Sequence, residues 1–164
     1  MVAKKVCMIG AYGVGKTSLV KRFVDSIFSD KYLTTVGVKI DKKQLRVGEE
    51  DVTLMLWDLA GEDAVTEVRL SHLRGASAYI LVADGTRGST LDTALDLQKR
   101  VRNAIGRVPF IFVVNKTDLQ DRWVIRQDTL DELSREGWPV FLSSAKTGAG
   151  VEELFLKVAE KSIR

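Results

Sequence analysis

Gly10-Ala11-Tyr12-Gly13-Val14-Gly15-Lys16-Thr17 stands between the apolar run Val6-Cys7-Met8-Ile9 and a stretch from Ser18 to Ile27 that puts Leu19, Val20, Phe23, Val24 and Ile27 on one helical face. The eight residues fit G-x-x-x-x-G-K-[ST], and the flanks give the pattern its meaning: a strand before, an amphipathic helix after. A strand that turns straight into a helix presents the helix's first N–H groups, and glycines let the connecting backbone bend so that further N–H groups converge on an anion. Lys16 adds a charge that reaches β- and γ-phosphate oxygens and Thr17 a hydroxyl for Mg²⁺. Gly10, Tyr12, Gly13, Val14, Gly15 and Ser18 complete the expected phosphate contacts.

Outward from this loop, strand-like runs alternate with helical patterns, the signature of an α/β sheet with crossover helices. Strands are expected near residues 4–9, 38–47, 51–57, 77–83, 109–114 and 140–143, and a helix over 91–105, where Leu91, Leu95 and Ile105 fall near helical spacing. Gly48-Glu49-Glu50 is short enough to join its neighbours as an antiparallel hairpin, whereas strands separated by helices should run parallel. The expectation is α/β: a six-stranded mixed, mostly parallel sheet with helices on both faces, residues 1–164 forming one domain. No repeat, low-complexity run or linker interrupts it.

Three further motifs follow predicted strands. Asp58-Leu59-Ala60-Gly61 comes after Leu54-Met55-Leu56-Trp57, so Asp58 can hold a metal-bound water at a strand end and the Gly61 N–H can meet a third phosphate only while one is present. Asn115-Lys116-Thr117-Asp118 follows Phe110-Ile111-Phe112-Val113-Val114. The Asp118 carboxylate can accept from guanine N1–H and N2–H₂ together, a donor pair adenine lacks, which disfavours an ATP-using enzyme. After the last strand, Ser143-Ser144-Ala145-Lys146 offers the Ala145 N–H to guanine O6 and the Ser144 hydroxyl as a brace for Asp118. Each motif alone says little. Together they fall in chain order beyond the carboxyl ends of strands, the edge at which open α/β sheets bind ligands.

Composition excludes more than it names. A formal charge of +3 spread over 164 residues makes no nucleic-acid track. Nothing approaches the ~18 apolar residues of a membrane span, and neither Met1-Val2-Ala3-Lys4-Lys5 nor the terminal Glu160-Lys161-Ser162-Ile163-Arg164 carries a signal peptide, a myristoylation start or a prenylation cysteine. The single Cys7 reads as a buried strand thiol. The expectations are a cytoplasmic, monomeric chain without nucleic acid or lipid anchor.

With all four motifs in place, the sequence resembles the small GTPases of the Ras superfamily over almost its whole length. Thr35-Val36-Gly37-Val38 is closest to the Rab-like branch, and the tail resembles the tailless Ras-like proteins of prokaryotes. The resemblance implies a switch that binds GTP or GDP with Mg²⁺, hydrolyses GTP slowly and presents its state to protein effectors and regulators. It implies that Thr35 ligates Mg²⁺ beside Thr17 and Asp58 in the GTP state, that Phe28 packs against the base, that Tyr32 covers the phosphates, and that Lys16, Thr35, Gly61 and Glu62 serve hydrolysis. Two residues depart from the family pattern. Tyr12 stands where a small residue is usual, at the place an activating protein's arginine commonly passes. Glu62 stands where a glutamine usually orients the attacking water. No arginine immediately precedes Thr35, and Arg69 and Arg74, after the second motif, read as solvated or structural. These departures leave an alternative: a nucleotide-bound interaction scaffold with negligible turnover.

Overall fold

The computed structural model describes residues 2–24, 32–33, 38–59 and 70–164, with backbone alone at 32, 33 and 70. Its strands are β1 (Val2–Gly10), β2 (Tyr32–Leu33), β3 (Lys39–Val47), β4 (Glu50–Asp58), β5 (Ala78–Asp84), β6 (Phe110–Asn115) and β7 (Val140–Leu142). The helices are α1 (Lys16–Val24), α2 (Ser89–Ile105), α3 (Gln127–Arg135) and α4 (Val151–Ser162). All six expected strands are present in one sheet, ordered β2-β3-β4-β1-β5-β6-β7, and the two-residue β2 adds an edge that the sequence did not announce. The β2–β3 and β3–β4 pairs are antiparallel and the remaining pairs parallel.

Burial explains the two kinds of strand pattern. In β1 Val6 and Met8 turn to one face and Cys7 and Ile9 to the other, and all four are buried. Every residue of β5 is buried as well. Strands covered on both faces read as continuous apolar runs, as here. In β4 Val52, Leu54 and Leu56 are buried in one core, and Trp57 is partly buried against the other. The β3–β4 hairpin closes through Gly48-Glu49, with Val47 opposite Glu50 and φ +62° at Gly48. A two-residue hairpin turn with glycine first matches the right-handed twist of its strands.

Two cores result, one on each face. On one face α1 (Leu19, Val20, Phe23, Val24) and α4 (Val151, Leu154, Phe155, Val158) pack on the sheet, with Phe23 and Phe155 stacked at 4.1 Å and 7°. On the other, α2 (Ala94, Leu97, Val101) and α3 (Leu130, Leu133) cover Tyr79, Leu81 and Phe112, and Trp138 sets its edge against Phe110 and Phe112.

The parallel register brings five strand ends to one edge. Met8 lies opposite Asp58, Gly10 opposite Val82, Asp84 opposite Asn115 and Val114 opposite Leu142. Strand order reverses at β1, with β4 on one side and β5 on the other, so the loop after Gly10 leaves the sheet at its topological switch point.

Candidate nucleotide site

At the switch point five residues, 11–15, carry the chain from β1 into α1, and Lys16 opens the helix. Its side chain is 6% exposed, with Nζ donating to Gly10 O (2.8 Å) and Ala11 O (2.9 Å). Burial lowers the Lys16 pKa to about 8. Asp58 pulls it back up, and Arg87 pushes it further down. A buried ammonium held by carbonyls rather than by a contact ion pair is poised for an anion.

Three successive peptides of the loop are held from outside. Arg87 Nη2 donates to Tyr12 O (2.6 Å), Lys116 Nζ to Gly13 O (3.0 Å) and Asn115 Nδ2 to Val14 O (3.0 Å). In a planar trans peptide the N–H points opposite to the C=O. Drawing these three carbonyls outward therefore turns the N–H groups of Gly13, Val14 and Gly15 inward, the concave array that an oxyanion needs. Gly15, at φ +105°, permits this because a Cβ there would run into the Asn115 amide. Asn115 is itself fixed, its Oδ1 accepting from Ser143 Oγ (3.0 Å) and the Ala145 N–H (3.2 Å).

Lys116 is the one non-glycine residue with positive φ among those described, at 76°. A left-handed lysine costs on the order of 1 kcal/mol. That turn sends its side chain back along the sheet edge to Gly13 O and to Asp84 Oδ2 at 2.9 Å. Asp84, 1% exposed at the end of β5, also receives Arg87 Nε on Oδ2 (3.1 Å) and the Thr86 N–H and hydroxyl on Oδ1 (2.8 and 2.6 Å). Burial alone would raise its pKa, but these donors together outweigh it and hold the carboxyl at about 2. Trp123 packs its ring over Gly85, and the Val124 N–H donates to Gly85 O (2.8 Å), so Trp123 covers the loop that carries Asp84 and Arg87.

For the metal, Thr17 Oγ1 donates to Asp58 Oδ2 at 2.5 Å, and Asp58 is 2% exposed. A hydroxyl beside a buried carboxylate at the mouth of the phosphate loop fits Mg²⁺, which takes few protein oxygens and completes its shell with water and phosphate. For the base, Ser144 Oγ donates to Asp118 Oδ1 (2.7 Å) and accepts the Thr147 N–H (3.1 Å), which is the brace expected. The Ala145 N–H donates to Asn115 Oδ1, so service to guanine O6 requires that donor to be shared. Ser18, Asp118 and Lys146 are exposed around the rim, and the Tyr12 side chain is 63% exposed, outside the loop rather than packed into it. Phe28, Thr35, Gly61 and Glu62 lie outside the described residues, as do Arg69 and the side chain of Tyr32. Arg74 is exposed and His72 half-buried in a short 3₁₀ turn, away from the loop.

Sequence reasoning missed Asp84 and Arg87. Their signal was positional: Asp84-Gly85-Thr86-Arg87 also follows a strand, but only the sheet order places that strand between the phosphate loop and Asn115.

The fold and this edge define a nucleoside-phosphate-binding α/β protein of the phosphate-loop class. The sequence profile of the Ras family matches residues 5–164, and the chain belongs to that family of GTP-binding GTPase switches. It is similar to the Ras-related protein Rab-13 of Bos taurus, at 31% identity over 157 residues, covering 94% of this chain and 77% of the relative. It is also similar to the Ras-related protein SEC4 of Saccharomyces cerevisiae, at 34% identity over 158 residues, 95% of this chain and 73% of the relative. These likenesses make it Rab-like within the family.

Proposed function

We propose that the chain binds GTP and GDP with Mg²⁺, hydrolyses GTP slowly, and shows its state to a protein partner. The observation that carries this reading is the row of three outward-held carbonyls at Tyr12, Gly13 and Val14, set beside the Thr17–Asp58 pair. Together these make an anion cradle with an oxygen site at its mouth. Thr17 and Asp58 would hold Mg²⁺, with Thr35 joining in the GTP state, and the bound ion neutralises phosphate charge. Lys16 supplies a second cation. Asp118 and Ala145 read the base, with Phe28 against its face. Gly61 and Thr35 meet the third phosphate, so its loss releases both segments. Glu62 accepts a hydrogen bond from the attacking water but, ionised, returns none to a phosphoryl oxygen, which keeps turnover slow. The reading is completed by a monomeric, cytoplasmic single domain whose partners are proteins rather than nucleic acid.

Single-turnover hydrolysis of protein-bound GTP tests this. The expected rate is on the order of 10⁻⁴ to 10⁻³ s⁻¹, the intrinsic range of Ras-type hydrolysis. Stable GTP binding with no phosphate released over a day would replace the switch with a nucleotide-bound scaffold.

A further inference from the structure

The Tyr12 carbonyl is held by a residue outside the four nucleotide motifs. Arg87 sits three residues beyond the end of β5, its Nε on Asp84 and its Nη2 on Tyr12 O. The planar fork of a guanidinium makes the two bonds from two different nitrogens in fixed geometry, whereas a lysine at this position would have to reach both acceptors from one freely rotating ammonium. Asp84 in turn anchors Lys116, so one buried carboxylate sets two cations against two consecutive carbonyls, Tyr12 O through Arg87 and Gly13 O through Lys116. Without Arg87, the Tyr12–Gly13 peptide is the one of the three with no described side chain holding its carbonyl. It is also the peptide flanked by the departure from a small residue, Tyr12, and by Gly13, whose positive φ of 75° leaves the backbone free to turn.

We propose that Arg87 is a positioning residue for the phosphates: braced on Asp84, it holds the Tyr12 carbonyl outward and so fixes the Gly13 N–H toward the nucleotide. Because the Arg87 side chain is 42% exposed, removing it opens no core.

The proposal rests on the GTP-binding reading, and the experiment separates the two. Parent, Arg87→Ala and Arg87→Lys proteins are compared for release of a fluorescent GDP in Mg²⁺, and for melting temperature with and without saturating GDP. Arg87→Ala is expected to release GDP about tenfold faster, the effect of losing one charged hydrogen bond at a binding site. Its nucleotide-free melting temperature should fall by only about a few degrees, because Asp84 keeps Lys116 and Thr86 as donors, while the rise that GDP confers shrinks. Arg87→Lys should keep the charge yet still release several-fold faster. Equal release from parent and Ala variant overturns the proposal. So does an equal fall in melting temperature with and without GDP, which would make Arg87 a brace for the fold. Full recovery in the Lys variant overturns it too, because charge without the guanidinium fork would then suffice. A parent that fails to bind GDP would instead sink the functional reading.

Discussion

At the scale of single residues the site is governed by buried charge. Lys16, with its pKa lowered to about 8 chiefly by burial, is only partly protonated above that pH before nucleotide binds. Phosphate oxygens beside it favour the ammonium and raise the pKa again. Between the two values binding takes up a proton, so affinity falls as pH rises through about 8. Calorimetry at pH 8.5 in two buffers of different ionisation heat should register uptake of a substantial fraction of a proton per GDP, and observed heats that are identical in the two buffers before any correction would remove Lys16 from this role. Asp118 is braced through Oδ1 by Ser144, and on the proposed reading its carboxylate would meet the base. Asp118→Asn exchanges an acceptor for a donor, which suits xanthine's C2 carbonyl and repels guanine's donors. Competition titration should show weaker GTP binding and stronger binding of xanthosine triphosphate. An unchanged preference for GTP would show that Asp118 does not read the base. Both residues could be singled out from residue type and position in a motif. The Asp84–Arg87 pair was not, because its meaning lies in which loop it touches.

At the scale of elements, helix α1 must hold the phosphate loop against the sheet, and it does so through an apolar stripe rather than through its polar N-terminus. Phe23 on α1 stacks on Phe155 of α4, itself fully buried, so the two helices on this face are packed as a pair. Phe155→Ala would remove the transfer energy of the ring and leave a cavity that neighbouring Leu154 and Val158 fill only in part. Such changes cost about 3–5 kcal/mol. Denaturant unfolding should show that loss in the midpoint with the slope retained, and a cost below 1 kcal/mol would mean that the helix pair repacks freely. The stripe on α1 and the continuous runs of β1, β5 and β6 could be read in advance because helical and strand periodicities differ and burial on both faces leaves no polar gap. The two-residue β2 could not. Tyr32-Leu33 has no period of its own, and it is a strand only because the edge of β3 offers Lys39 and Ile40 as partners.

At the scale of the molecule, the candidate metal site pairs Thr17 at the start of α1 with Asp58 at the end of β4, residues 41 apart in sequence that meet because β1, which leads into α1, lies beside β4. Chelation of Mg²⁺ should therefore speed GDP release by at least tenfold, as phosphate charge loses its counterion. Release at the same rate in excess chelator would mean that Thr17 and Asp58 do not share an ion that matters for binding. By itself the sequence determined the α/β class and the mixed sheet and marked out the loop from Gly10 to Thr17 and the stretch from Asn115 to Asp118, because each depends on local spacing: a hydrophobic period, a glycine, a lysine beside a threonine. What only the tertiary structure decided was how those pieces are held. Strand order set β5 between β1 and β6, and this alone brought Asp84 and Arg87 against Tyr12 and allowed Lys116 to share the same carboxylate. A contact between residues 75 positions apart leaves no local period to read, and it exists only once a parallel sheet has aligned the strand ends from which both loops emerge.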